Sequence, residues 1–210
     1  SRPSAFHLGF LLGPRVNAGG RVGQADLGTR LLSTEDPDEA AALAMRLDEF
    51  NAARKEIEAA VLAEAIEQVE TTADGDDPVV FAVGRSWHPG VIGIVAGRLK
   101  ERYDRPACVI AVDGGMAKGS ARSVAGVDFG RAIIAAREAG LLMNGGGHAM
   151  AAGLTVGEDN IPALISFVQD DVRSQLAGER LLPIMALDGA LAVSAVTAQL
   201  IEELAAVEPF

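Results

Sequence analysis

Val79-Val80-Phe81-Ala82-Val83, then Gly90-Val91-Ile92-Gly93-Ile94-Val95-Ala96-Gly97-Arg98-Leu99, then Ala107-Cys108-Val109-Ile110-Ala111-Val112 are the three segments that decide the fold. The first and third are short, continuous apolar runs without alternation, the pattern of strands buried on both faces. The segment between them is rich in small residues and reads as a helix that packs closely. Strand, helix, strand makes a parallel crossover, the building unit of an α/β fold.

Downstream, Asp113-Gly114-Gly115 reads as a hairpin leading into an extended segment Met116 to Ser123. A helix from about Val127 to Glu138, a glycine turn at Gly145-Gly146-Gly147, a strand Ala149 to Val156 and a helix Ile161 to Leu176 complete a compact α/β unit. Upstream, Asp36 or Thr34 caps and Pro37 opens a helix with Leu43, Leu47, Phe50, Ile57, Val61 and Val69 on one stripe. Running to about Thr72, that helix measures roughly 50 Å at about 1.5 Å per residue and is expected to act as a spacer with its acidic residues in solvent. Asp74-Gly75-Asp76-Asp77-Pro78 is the turn into the first strand, and Ser1 to Ser33 reads as irregular and glycine-rich. The tail offers a strand Leu182 to Leu187 and a helix Thr197 to Ala206, the opening of a further domain. The chain starts at Ser1 without methionine and is expected to be a piece of a longer polypeptide.

Forty-nine per cent hydrophobic and 4% aromatic residues over 210 positions describe a core packed from Ala, Val and Leu. Cys108 lies inside an apolar run and reads as an inert thiol, and a lone cysteine allows no disulfide within the chain. No run is apolar enough to span a bilayer and no signal-like start is visible, so the expected address is cytoplasmic, with no membrane partner. The net charge of -11 is unevenly spread: residues 1–31 carry +3, 32–83 carry -11, 84–148 carry +4 and 149–210 carry -7. The glycine- and histidine-rich segments are the basic ones. Screening limits the reach of a surface charge to about 8–10 Å, so an acidic protein can still present a local phosphate-binding stripe.

Four clusters carry chemistry. In Gly145-Gly146-Gly147-His148-Ala149-Met150-Ala151-Ala152-Gly153 one imidazole is surrounded by nearly bare backbone. That is either a flexible loop ending in a buried histidine or a nest of N–H groups with a proton shuttle beside it. Trp87-His88-Pro89-Gly90 stands between a strand and a helix start, where free N–H groups point outward. Trp87 stacks on a base and His88 hydrogen-bonds a phosphate or a base, or the pair is an aromatic staple with a solvent-facing histidine. In Gly119-Ser120-Ala121-Arg122-Ser123, alternation puts Ser120 and Arg122 on one face, suited to two oxygens of a phosphodiester or simply exposed. Arg15 and Arg21 in Gly13-Pro14-Arg15-Val16-Asn17-Ala18-Gly19-Gly20-Arg21 read as phosphate contacts on a loop or as ordinary surface charges. With histidines only at 7, 88 and 148 no complete metal site is visible, and neither a P-loop nor a dinucleotide fingerprint is present.

Taken together these clusters resemble the RecJ-type single-stranded-DNA-specific exonucleases of the DHH phosphoesterase superfamily, in order and in spacing. The resemblance implies an α/β fold: a compact DHHA1-type domain at 78–178 whose mixed, largely parallel sheet is flanked by helices. It further implies the end of a catalytic DHH domain at 1–33, a connecting helix at 34–73 and the start of an OB-like domain at 181–210. The implied activity is 5′-3′ hydrolysis of single-stranded DNA in repair and recombination. The Mn2+ or Mg2+ of the full-length enzyme is expected in the missing catalytic domain, so this piece alone is expected to be inactive. A single-strand-binding protein and a helicase are the implied cellular partners. Arg15, Arg21, Trp87, His88, Ser120, Arg122, Ser123, Gly145, Gly146, Gly147 and His148 are the implied nucleic-acid contacts, with His148 near the scissile phosphate. The alternatives are a phosphodiesterase for oligoribonucleotides or cyclic dinucleotides and a non-catalytic nucleic-acid-binding module.

Overall fold

The computed structural model describes residues 4–72, 77–179, 181, 185 and 187–207. Its centre is a five-stranded sheet in the order β1-β2-β3-β5-β4, formed by β1 (Val80–Arg85), β2 (Ala107–Asp113), β3 (Met116–Arg122), β4 (Asn144–His148) and β5 (Ala151–Gly157). The helices are α1 (Gly13–Val16), α2 (Ala18–Val22), α3 (Leu27–Ser33), α4 (Pro37–Thr72), α5 (Pro89–Tyr103), α6 (Phe129–Glu138), α7 (Ile161–Leu176) and α8 (Ala198–Ala206), with a π-helical turn at His7–Leu12.

β1, α5 and β2 form the expected parallel crossover, but the other pairings β2–β3, β3–β5 and β4–β5 are antiparallel. The sheet is therefore mixed, as expected, but largely antiparallel where a largely parallel one was expected, its single parallel pairing confined to one edge. The reason is local: Gly114 and Gly115 both have positive φ (56° and 79°), which closes a two-residue hairpin and turns β3 back along β2. Ala149 and Met150 form the two-residue connection from β4 to β5 without positive φ, their carbonyls held by the N–H groups of Phe129 and Ser123. The glycine segment 145–147 is thus extended backbone on an edge strand and not a turn.

Alternation sorts the strands into two faces. Cys108, Ile110, Val112, Ala117, Ala121, Ala152, Leu154 and Val156 pack under α6 and α7. Val80, Ala82, Ala107, Val109 and Ala111 pack on the other side under α5 and the last turns of α4. β2 contributes to both layers, which explains its unbroken apolar run. The long helix α4 is a single element of 36 residues, and the Asp36 carboxylate accepts from the N–H of Asp38 at 2.9 Å and caps it.

α4 is more than a spacer, because Gln68 docks it on the outer edge of β1. The Gln68 amide accepts from Val83 N–H at 2.7 Å and donates to Val83 C=O at 3.1 Å. Gln169 of α7 does the same to Val79 at 3.1 and 2.9 Å. Two side-chain amides therefore substitute for a sixth strand along an edge that would otherwise be open to pairing.

Residues 5–33 are mostly helical where the sequence suggested irregular chain. Some of their glycines serve close packing: a Cβ on Gly19 would sit 2.4 Å from the Gln24 carbonyl, and one on Gly28 would sit 2.6 Å from that of Val16. Leu27 of this segment is buried against Leu43 and Leu47 of α4. Of the tail, the expected strand 182–187 lies mostly outside the described residues, and the expected helix is α8.

Candidate nucleic-acid interface

On the α5 side, α4 covers β1 and α5 covers β2 and packs against β3, and the sheet is left bare over β5 and β4. The register fixes which β3 side chains emerge beside α5 and what floors the open part next to them. Arg122 is opposite Ala151, which is opposite His148; Ser120 is opposite Gly153, which is opposite Gly146; Lys118 is opposite Thr155, which is opposite Asn144. Directly paired residues of a sheet share a face, so these three rows form one polar surface. Gly153 and His148 are exposed, and Ser120 and Arg122 are half-buried beside α5. An open depression of about 370 Å3 lies among Asn144, Gly146, Gly153 and Thr155. The outcome was decided by alternation, since a one-residue slip would have turned Arg122 or His148 into the core.

Arg122 is held by its own strand: one guanidinium nitrogen donates to Ser120 Oγ at 3.1 Å and to the Ala121 carbonyl at 2.8 Å. α5 approaches from above through Gly93, where a Cβ would lie 3.0 Å from both Arg122 Nη2 and Ser120 Oγ. One helical turn earlier, Gly90 permits the same closeness to Arg21, whose guanidinium donates to the Gly90 carbonyl at 3.3 Å. The first turn of α5 thus links Arg21 and His88 to the Ser120–Arg122 pair.

His88 caps α5 by accepting from Gly90 N–H on Nδ1 at 3.0 Å. His148 uses the same device, accepting from Met150 N–H on Nδ1 at 3.3 Å. With Nδ1 engaged as acceptor, a neutral ring carries its proton on Nε2 and presents a donor outward. The His148 backbone is pinned from below by α6, where a Cβ on Gly130 would fall 2.8 Å from it.

Several expected contacts do not belong to this surface. The Trp87 ring is 8% exposed, packs over Gly84 and donates Nε1–H to Glu64 of α4 at 2.7 Å, so it is unable to stack on a base. Ser123 is buried, and its hydroxyl donates to the Val127 carbonyl at 2.8 Å, closing the loop before α6. Arg15 sits in α1, not on a loop, and is committed to Asp48 of α4 at 2.8 Å and to the Leu11 carbonyl at 2.7 Å. The three glycines separate. Gly146 faces the polar surface, whereas Gly145 faces Ile133 and Leu142 in the core and its carbonyl accepts from Arg137 at 3.0 Å. Gly147 is required by the backbone of Ala151, 2.3 Å from where its Cβ would be. Lys118, Asn144 and Thr155 went unnoticed in the sequence, although the period-two pattern that united Ser120 with Arg122 extends to Lys118.

Among the described residues no three His, Cys, Asp or Glu side chains gather as a metal site. The donors here are guanidinium, imidazole, hydroxyl, ammonium and amide groups, a set that suits an anion rather than a divalent cation.

A mixed sheet with one bare polar half, a glycine edge strand and a capped crossover helix is a DHHA1 domain: residues 76–174 match the DHHA1 domain family. The chain carries a DHHA1 domain of the RecJ type. It is 38% identical over 206 residues to the single-stranded-DNA-specific exonuclease RecJ of Bacillus subtilis, covering 97% of this chain and 26% of that protein. To the Escherichia coli protein of the same name it is 41% identical over 162 residues, covering 74% and 28%. The crystal structure of RecJ from Thermus thermophilus in complex with Mn2+ superposes with a TM-score of 0.83 at 33% identity, covering 99% of this chain and 30% of that one. The same protein has also been solved with Mg2+. The chain therefore spans between a quarter and a third of the length of these relatives.

Proposed function

We propose that this chain is the substrate-holding part of a longer single-stranded-DNA-specific exonuclease that cleaves phosphodiesters from the 5′ end with a divalent ion. The observation that carries the reading is the cross-strand row Arg122–Ala151–His148, which aligns a guanidinium and an imidazole donor on one open face. Arg122, steadied by Ser120, grips one phosphate, and the outward Nε2–H of His148 hydrogen-bonds a second phosphoryl oxygen nearer the reacting bond. Arg21 and His88, joined to the same turn of α5, extend the basic rim. Positioning of this kind contributes to phosphoryl transfer by holding charge where it develops.

The divalent ion supplies Lewis-acid activation of water and phosphate when bound, and we place it in a part of the enzyme outside these residues. Residues 1–33 and 181–210 are proposed as the end of the catalytic domain and the start of an OB-like one. A cytoplasmic address, and a single-strand-binding protein and a helicase as partners, go with the reading.

The test is turnover by the complete protein with Mn2+ or Mg2+ on 5′-labelled single-stranded DNA. Arg122→Ala and His148→Ala are each expected to lower kcat/KM by about tenfold or more with unfolding midpoints essentially unchanged. Unchanged rates would remove the row from the mechanism. Preference for dinucleotides or cyclic dinucleotides over long strands would assign the protein to small-substrate phosphodiesterases instead.

A further inference from the structure

The proposed reading uses the row containing Arg122 and His148, but the polar face does not stop there. Two residues along each strand lies the row Ser120–Gly153–Gly146, and two further lies Lys118–Thr155–Asn144. Successive rows are separated by about 6.6 Å along the strands, and the outer strands β3 and β4 by about 10 Å across them. The face from Arg122 to Lys118 is therefore roughly 13 Å long, which is more surface than a single phosphate occupies.

The middle row presents almost no side chain. Gly153 and Gly146 leave the backbone bare, and a Cβ on Gly146 would meet nothing within 4 Å. Beyond that floor stand an exposed ammonium on Lys118, a half-buried hydroxyl on Thr155 and an exposed amide on Asn144. The open depression of about 370 Å3 lies between the last two and the glycine floor. α5 walls the face on the β3 side, where Ala107, Val109 and Ala111 of β2 are already covered.

We propose that the row Lys118–Thr155–Asn144 is a second nucleotide subsite for the strand held at Arg122 and His148. This inference rests on the nucleic-acid reading above. Lys118 takes a phosphate further along the same backbone, and the bare glycine floor lets the intervening sugar and base lie against the sheet. Thr155 and Asn144 supply a hydroxyl and an amide, which donate to and accept from the polar edges of that nucleotide. A strand running over β5, in the groove beside α5, thereby meets a cation of β3 at each end of the face, and its register is set by the distance between Arg122 and Lys118.

The experiment uses the complete protein without divalent ion, so that binding is measured without hydrolysis. Fluorescein-labelled oligothymidylates lengthened one nucleotide at a time are titrated by anisotropy at several salt concentrations, with wild type, Lys118→Ala and Thr155→Val. Wild-type affinity is expected to rise in a step at the length that reaches the third row. Lys118→Ala loses that step, about tenfold, leaves shorter probes unaffected, and lowers the slope of log affinity against log salt by about 0.7 for the longer ones. Thr155→Val shrinks the same step without changing the slope. An equal loss at every length, or none, overturns the subsite while leaving the main reading in place. Absence of binding by wild type at every length defeats the main reading itself.

Discussion

Arg122 and His148 stand on strands that do not touch, yet both lie directly opposite Ala151, one from each side. Two strand spacings, about 10 Å, separate their backbones, and the hydrogen bonds of Arg122 go to Ser120 and Ala121 and not to His148. Their cooperation is expected to appear only through a shared ligand. The effects of Arg122→Ala and His148→Ala on unfolding free energy should therefore add within about 0.5 kcal/mol, while their effects on single-stranded DNA affinity should not. A double-mutant cycle measured on both quantities checks this, and additive binding energies would mean that the two groups hold separate molecules.

The neighbouring glycines of β4 have opposite requirements. Gly146 has open space around its would-be Cβ, so Gly146→Ala is expected to leave stability unchanged or raise it by about 0.4–1 kcal/mol through the unfolded chain. It should nevertheless weaken DNA binding by raising the floor of the groove. Gly147→Ala drives a Cβ into the Ala151 carbonyl and the Ala152 backbone and is expected to destabilise by more than about 1 kcal/mol. Urea denaturation of the pair, set beside their DNA affinities, separates a packing glycine from a ligand-facing one.

Gln169 is buried and serves both the N–H and the C=O of Val79. Gln169→Ala strands two backbone groups in the interior and is expected to cost about 2–4 kcal/mol. Gln68, half-exposed in the same role at Val83, should cost less, because water can replace its amide. The double variant exposes the whole outer edge of β1 and is expected to form strand-paired oligomers, detectable by light scattering during refolding.

Burial pushes the Cys108 thiol from 9.0 up to about 12. The unfolded chain releases this proton first as pH rises, so the folded state binds more protons in between and loses stability with increasing pH. The contribution is complete below about pH 9 and disappears progressively toward pH 12. Native protein is expected to resist alkylation at pH 8.5 and to react only when unfolded. The Cys108→Ala variant should show a flatter decline of unfolding free energy above pH 9 than the wild type.

The patterns set by nearest neighbours along the chain were readable in advance: the two doubly buried strands, the crossover helix, the double-glycine hairpin, the long capped helix and the shared face of Ser120 and Arg122. Each follows from side-chain period or from backbone freedom at a few residues. Tertiary structure decided everything that depends on which residues end up adjacent across the fold. It made Gly145, Gly146 and Gly147 a strand, because β5 offered a partner, and alternation then pointed only the middle one at the groove. It took Trp87 out of the interface because Gly84 and Glu64 provide an apolar bed and an acceptor for the indole. It tied Arg15 to Asp48, thirty-three residues away. It also brought Lys118, Thr155 and Asn144 into one row, a relationship visible only in the register of three strands. Local sequence fixes period and turn, whereas register and burial arise from packing free energy summed over distant segments, and the polar face is a product of register.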